Sequence, residues 1–277
     1  MEQELVVRNA APGLRRYVKR YVGYAEQTGT SMQQREPAGA GVVLIFGLGP
    51  ELKVLDPVDP TRPAVRVGSF FGGPDDRCAV VEHDGEMRGV EVDLTPLAAR
   101  MVFREPMQAL ARQTVALEDL LGRQARWLEE RLVEAGGWSE RFDLIETALA
   151  ERLLAAEPPP ADIDWAWRRL TRARGRVRVA ELAAEVGCSR KHLAARFREH
   201  VGLPPSVVVR LLRFGRAVEM LSSRHAAIGD VAYACGYYDQ AHLDRDFRDF
   251  AATTPTAFAA ELRVPVTSVQ DAAVTVS

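Results

Sequence analysis

"GYYDQAHLDRDF" (Gly236–Phe247) echoes an earlier stretch of the same chain, "GCSRKHLAARF" (Gly187–Phe197). Each carries a glycine, a polar cluster, His-Leu, and then a Phe four residues after the Leu with an Arg beside it. With His192-Leu193 laid on His242-Leu243, Phe197 falls on Phe247, Arg198 on Arg248 and Pro205 on Pro255. Upstream, Ala183/Gly187 and Ala232/Gly236 repeat the pattern A-x-x-x-G, and the second copy has one extra residue just after its glycine. A fixed offset held through so many positions identifies one structural unit used twice.

The unit has a physical reading. Val179 to Val186 forms a first helix that buries Leu182, Ala183 and Val186, and the small Ala183 lets a second helix approach closely. Gly187 ends this helix in a left-handed conformation that costs glycine little. Ser189 caps the next helix, which buries Leu193 and Phe197, four apart on one face. Two helices joined by a short glycine-containing turn form a helix-turn-helix. In the second copy Leu243, Phe247 and Phe250 make the buried stripe.

The remaining face of each second helix is where function is expected. In the first copy Arg190, Lys191, Ala194, Ala195 and Arg198 lie off the stripe; in the second, Gln240, Ala241, Asp244, Arg245 and Arg248 do. Arg reads guanine, Gln reads adenine and Ala touches a thymine methyl, so such a face suits the major groove. A charged helix face alone is ordinarily just solvated; the repeat and the charge of this segment favour the reader. Between the copies, "SVVVRLLRFGRAVEMLSS" (Ser206–Ser223) forms a helix with apolar positions 208, 211, 212, 218 and 221 on one stripe. At 1.5 Å per residue it spans roughly 25 Å, which lets the two readers enter successive major grooves about 34 Å apart.

The charge distribution agrees. The net charge of the 277-residue chain is only −2, but Trp165 to Val264 holds 17 Lys and Arg against 10 Asp and Glu. A basic segment behind an acidic one favours a polyanionic partner for the former. The three cysteines, Cys78, Cys188 and Cys235, show no CxxC spacing, so neither a disulfide framework nor a zinc site is expected. Cys188 and Cys235, beside the turn glycines, read as buried small hydrophobes, and Tyr237 and Tyr238 as packing residues. His83 is the only histidine before His192, so no metal or cofactor is called. "MEQELVVRNA" is not a signal peptide, and no apolar run approaches the ~20 residues that span a bilayer; a cytoplasmic location is expected.

Residues 1 to about 94 read as β-rich. "GVVLIFGLG" and "LKVLD" are short apolar runs, and in "RCAVVEHDGEMRGVEVDL" the Asp-Gly between two β-type runs predicts a hairpin. Thr95-Pro96 is an N-cap followed by Pro at the first helical position. Helix is expected from there to Ala156, broken at Gly136-Gly137 and restarted with Ser139 as cap. "EPPPAD" (Glu157–Asp162) stops it and marks a domain boundary.

These residues carry a family resemblance. "RVAELAAEVGCSRKHLAARFREHVGLPP" and "AIGDVAYACGYYDQAHLDRDFRDFAATTPTAF" resemble the two helix-turn-helix units of the DNA-binding domain of AraC/XylS-type bacterial transcriptional regulators, over residues 165 to 262. The resemblance implies that Lys191, Ala194 and Ala195 in the first reader, and Gln240, Ala241, His242, Asp244 and Arg245 in the second, face bases. Arg190, Arg198 and Arg248 are then mainly phosphate contacts. Two alanines at base-facing positions of the first reader depart from the large polar residues frequent in that family, which implies reading by methyl contacts or DNA shape. The N-terminal half is only loosely similar to the family's cupin-like sensor barrel.

The expected protein is α+β: a small N-terminal β-barrel or sandwich with helices over residues 1–157, for effector sensing and dimerisation, and an all-α DNA-binding domain over 163–264. Its expected partners are double-stranded DNA, a small-molecule effector and a second copy of the chain, with no membrane and no enzymatic activity. The rival readings make the N-terminal half a protein-interaction module or an enzyme. "FFGGPDD" lacks the phosphate-loop pattern and reads as a turn, and Cys78, the only candidate nucleophile there, has only Arg77 as a basic neighbour. The leucines at 117, 121, 128 and 132 are the candidate dimer contact, with ordinary core as the alternative.

Overall fold

A computed structural model describes residues 2–57, 61, 63–223 and 227–261; Arg263, Val264 and the tail beyond them lie outside the described residues. The strands run β1 (Glu2–Asn9), β2 (Val18–Gln27), β3 (Met32–Glu36), β4 (Val42–Gly47), β5 (Leu52–Leu55), β6 (Val65–Val67), β7 (Phe70–Gly72), β8 (Ala79–His83), β9 (Glu86–Leu94) and β10 (Thr114–Ala116). They make two antiparallel sheets, β1-β2-β9-β4-β7-β10 and β3-β8-β5-β6. The sheets are separate, so the sandwich arm of the expectation holds and the closed barrel does not.

Alternation along the strands decides what each face covers. Tyr24, Ile45, Phe70 and Met87 of the larger sheet meet Leu52 and Val67 of the smaller one. On the opposite face Leu44, Phe46, Val90, Val92 and Leu94 pack against helices. These are α1 (Pro96–Phe103), α2 (Met107–Leu110), α3 (Leu117–Leu121), α4 (Arg123–Glu134) and α5 (Trp138–Leu154).

The expected hairpin at Asp84-Gly85 is not formed. β8 pairs with β3 and β5, whereas β9 pairs with β2 and β4. Asp84-Gly85 is a corner between the sheets, with Gly85 at φ +94° and its carbonyl accepting from the Thr28 N–H at 2.8 Å. A Cβ there would sit 2.8 Å from the Thr30 nitrogen. The tight turn signal was sound, but the apolar face of β9 requires a layer of helices on one side and sheet neighbours on both edges.

Thr95 caps α1 as expected, accepting from the Ala98 N–H at 3.2 Å. The helix expected from Pro96 to the break at Gly136-Gly137 is interrupted by left-handed Arg104, by β10 and by Gly122 at φ +57°. Gly137, not Ser139, occupies the cap position of α5. Of the four leucines, Leu117, Leu128 and Leu132 are buried in the sheet–helix core and Leu121 packs half-buried against it, so the core alternative holds for this row.

The C-terminal helices are α6 (Ala161–Arg172), α7 (Val179–Val186), α8 (Arg190–Val201), α9 (Pro205–Ser222), α10 (Ile228–Ala234), α11 (Gln240–Ala251) and α12 (Pro255–Glu261). Their core is continuous with Ala38, Ala40, Leu97 and Ala111 from the first half of the chain. The halves also meet through polar contacts: the Ala38 N–H donates to the Phe250 carbonyl at 2.8 Å, and ion pairs join Arg16 to Asp164, Arg35 to Glu261 and Arg100 to Glu199.

Gly202, at the C-terminus of α8, is pressed into this contact. It has φ +92°, and a Cβ would lie 2.9 Å from the Ala111 Cβ and 3.0 Å from both the Met107 oxygen and the Pro74 Cγ. Gly202→Ala is therefore expected to lose about 1–3 kcal/mol, read as a lower urea midpoint with an unchanged slope. A midpoint equal to the parent's would show that the contact yields freely.

Candidate nucleic-acid interface

The two repeats fold by the same local devices. Gly187 and Gly236 are left-handed, at φ +75° and +81°. The residue after each glycine donates its N–H to the alanine of the A-x-x-x-G pattern: Cys188 to the Ala183 carbonyl and Tyr237 to the Ala232 carbonyl, both at 3.0 Å. This closes the end of the first helix of each unit. A side-chain cap then opens the second helix. Ser189 Oγ accepts from the His192 N–H at 3.2 Å, and Asp239 Oδ1 accepts from the His242 N–H at 2.8 Å. The extra residue of the second copy is absorbed between glycine and cap, which leaves the helix register intact.

Leu182, Ala183, Leu193 and Phe197 of the first unit and Val231, Ala232, Leu243, Phe247 and Phe250 of the second are buried. The linking helix α9 shares one buried core with both units, and its Phe214 ring meets Phe247 and Phe250 of the second edge-on at 4.9 and 5.4 Å between centroids. The expected stripe of α9 omitted its centre. Val208, Leu211 and Leu221 are buried as expected, but so are Phe214 and Ala217, while Leu212 and Val218 are only half-buried.

The outward residues stand as follows. Arg190, Lys191, Ala195 and Arg198 are exposed and Ala194 is half-buried; Gln240, Ala241, Arg245 and Arg248 are exposed, and His242 and Asp244 are half-buried. His242 packs edge-on against Tyr237, with centroids 5.2 Å apart. Tyr237 is buried as expected of a packing residue, but Tyr238 is 94% exposed and so does not fill that role. Cys235 is buried and Cys188 half-buried.

A buried acid on α11 escaped the sequence reading. Asp246 is 1% exposed and accepts from Arg210 Nε and Nη2 of α9 at 3.0 and 2.6 Å; Arg210 also reaches Asp249 at 2.7 Å and lies 4.6 Å over the Phe250 ring. The Tyr237 hydroxyl is buried beside Asp246, and burial, reinforced by the Asp246 charge, pushes its pKa up. The signal was available: Asp246 falls three after Leu243 and four before Phe250, within the buried stripe. Asp239 and Asp249 are thus committed to the cap and to Arg210, and among the described residues Arg245 forms no ion pair.

Helix α8 ends on α1 and α2. His200 is buried there, and desolvation, then the nearby Arg100, holds its pKa below the ordinary histidine value. Elsewhere, burial pushes the Cys78 thiol up to about 12; Cys78 lies just before β8 and not within a strand. Among the described residues no group of three or more His, Cys, Asp or Glu side chains is placed to hold a metal ion, and no helix is long and apolar enough to cross a membrane.

Two capped helix-turn-helix units on one linking helix define a DNA-binding module. Residues 182–261 match the family model described as a helix-turn-helix domain. The C-terminal part of the chain is an AraC-type helix-turn-helix domain, and the chain is a DNA-binding transcription regulator. No curated protein matches it in sequence. Among solved structures, an apo variant of ToxT from Vibrio cholerae is similar in fold at 9% identity and TM-score 0.51, covering 92% of this chain and 100% of that one. A transcriptional regulator of AraC-type DNA-binding domain from Chromobacterium violaceum matches at 25% identity and TM-score 0.35, covering 38% of this chain and 94% of that one.

Proposed function

We propose that residues 163–264 bind specific double-stranded DNA through α8 and α11, and that residues 1–157 are a regulatory unit that senses a small effector and pairs two copies of the chain. The carrying observation is the repeated joint itself: two helices capped at the same position relative to His-Leu, each presenting an uncommitted polar face. Lys191, Ala194 and Ala195 read bases in the first groove; Gln240, Ala241, His242, Asp244 and Arg245 read them in the second. Arg190, Arg198 and Arg248 hold phosphates. The regulatory role of the first half is supported by its grip on the C-terminal ends of both readers, through Gly202 and Phe250. A catalytic role for Cys78 is disfavoured by a thiol kept protonated in the interior. Pairing is supported by Trp127, Val133 and Leu154, large apolar side chains exposed on α4 and α5; sedimentation of the full chain at rising concentration decides it.

The DNA reading predicts a steep salt response. Each phosphate neutralised contributes about −0.9 to the slope of log K against log salt. Arg198→Ala and Arg248→Ala are each expected to weaken binding to all sequences alike and to reduce that slope by about one, measured by fluorescence anisotropy across a salt series. A flat response in the parent would remove the electrostatic basis of the reading.

A further inference from the structure

Where the first half of the chain faces the second reader, it leaves a groove of about 400 Å³ lined by Asp76, Arg77, Arg112, Arg210, Arg248, Asp249 and Phe250. Four guanidinium groups and two carboxylates line it, and Asp246 and Asp56 stand behind Arg210 and Arg77, so the uncompensated positive charge of the groove rests on Arg248. Two of the arginines are held in place. Arg112 donates to both oxygens of Asp76 at 2.5 and 3.0 Å, and Arg210 is fixed by Asp246, Asp249 and the Phe250 ring. The other two are loosely held: the Arg77 side chain is half-exposed and 3.7 Å from Asp56, and Arg248 makes no ion pair among the described residues. Guanidinium forks fixed by ion pairs beside less constrained ones are suited to a tetrahedral anion, which accepts several N–H donors at once.

We propose that this groove binds a phosphate group, with Arg77 of the first half and Arg248 of the second reader closing on it. The phosphate comes either from the DNA backbone, in which case the first half extends the footprint of the second reader, or from a free phosphorylated small molecule, in which case it withdraws Arg248 from DNA. The DNA source rests on the function proposed above; the free source does not.

The test uses the full chain and its Arg77→Gln, Arg77→Glu and Arg77→Lys variants, with circular dichroism melts as the check on folding. In one arm, DNA affinity is measured across a salt series. In the other, inorganic pyrophosphate is titrated without DNA and followed by the melting temperature. If the backbone is the source, Arg77→Gln binds all duplexes about three- to tenfold more weakly with a salt slope reduced by about one, Arg77→Glu is worse, and Arg77→Lys recovers most of the loss. If the source is free, pyrophosphate raises the melting temperature of the parent and of Arg77→Lys but not of Arg77→Gln, and it weakens DNA binding. Parental DNA affinity and slope in Arg77→Gln and Arg77→Glu, together with no pyrophosphate response in the parent, overturns the site. Absence of any DNA binding by the parent defeats the proposed function, and the pyrophosphate arm still decides the groove.

Discussion

In a selection from random duplex DNA, Arg245→Ala is expected to return a motif that has lost its preference at one or two base pairs while the rest survives. Arg245 is exposed on α11, one turn after Ala241, and belongs to no ion pair among the described residues. The two acids that could have claimed it are engaged: Asp239 caps the helix, and Asp249 bonds Arg210. An arginine so placed suits a bidentate contact to guanine O6 and N7, worth about 1–3 kcal/mol of discrimination. That is roughly a 5- to 150-fold drop in preference at the contacted pair. Because the side chain is exposed and outside the buried stripe, the melting temperature should stay at the parental value. An unchanged motif would show that Arg245 is not a reader and would shift the specificity of this unit to Gln240 or to the first repeat.

Arg210→Ala should produce the largest loss of stability. Asp246 is almost fully buried and Arg210 is its charged partner, linking α9 to α11. Removing one member of a buried ion pair leaves the other uncompensated, at a cost of about 3–5 kcal/mol. Arg210 is itself 37% exposed, which places the expected loss near the lower end, about 3 kcal/mol. For a chain of this size that lowers the melting temperature by about 6–12 °C. The control is the double variant Arg210→Met with Asp246→Leu, which replaces the pair by apolar volume and should regain most of the stability. A single variant that melts within about 2 °C of the parent would show that the pair does not hold the second reader in place.

The DNA-binding half was readable from residues because its decisive relations are short. A left-handed glycine, a cap three residues before its donor and an apolar stripe at three- and four-residue spacing are satisfied within one or two helical turns, so Gly187, Ser189, Leu193 and Phe197 announce the unit without reference to the rest of the chain. Asp246 was readable by the same logic, since it stands in the stripe of Leu243 and Phe250, and only its partner Arg210 lay out of reach on another helix.

Longer relations were not readable. Asp84-Gly85 specifies a sharp turn whether the flanking strands pair with each other or part into two sheets. The choice was made by the apolar face of β9, which needed helices on one side and β2 and β4 at its edges. Leu117, Leu128 and Leu132 show the same helical spacing whether they cover a sheet or meet a second chain. Gly202 looks like any helix-ending glycine until Met107, Ala111 and Pro74 close around it, and nothing near Ala38 announces a hydrogen bond to Phe250. Local conformational preference and apolar period therefore determined the repeated reader and its outward residues. Tertiary packing alone decided how the first half covers the C-terminal ends of both readers, because contacts between distant segments follow surface complementarity and carry no period along the chain.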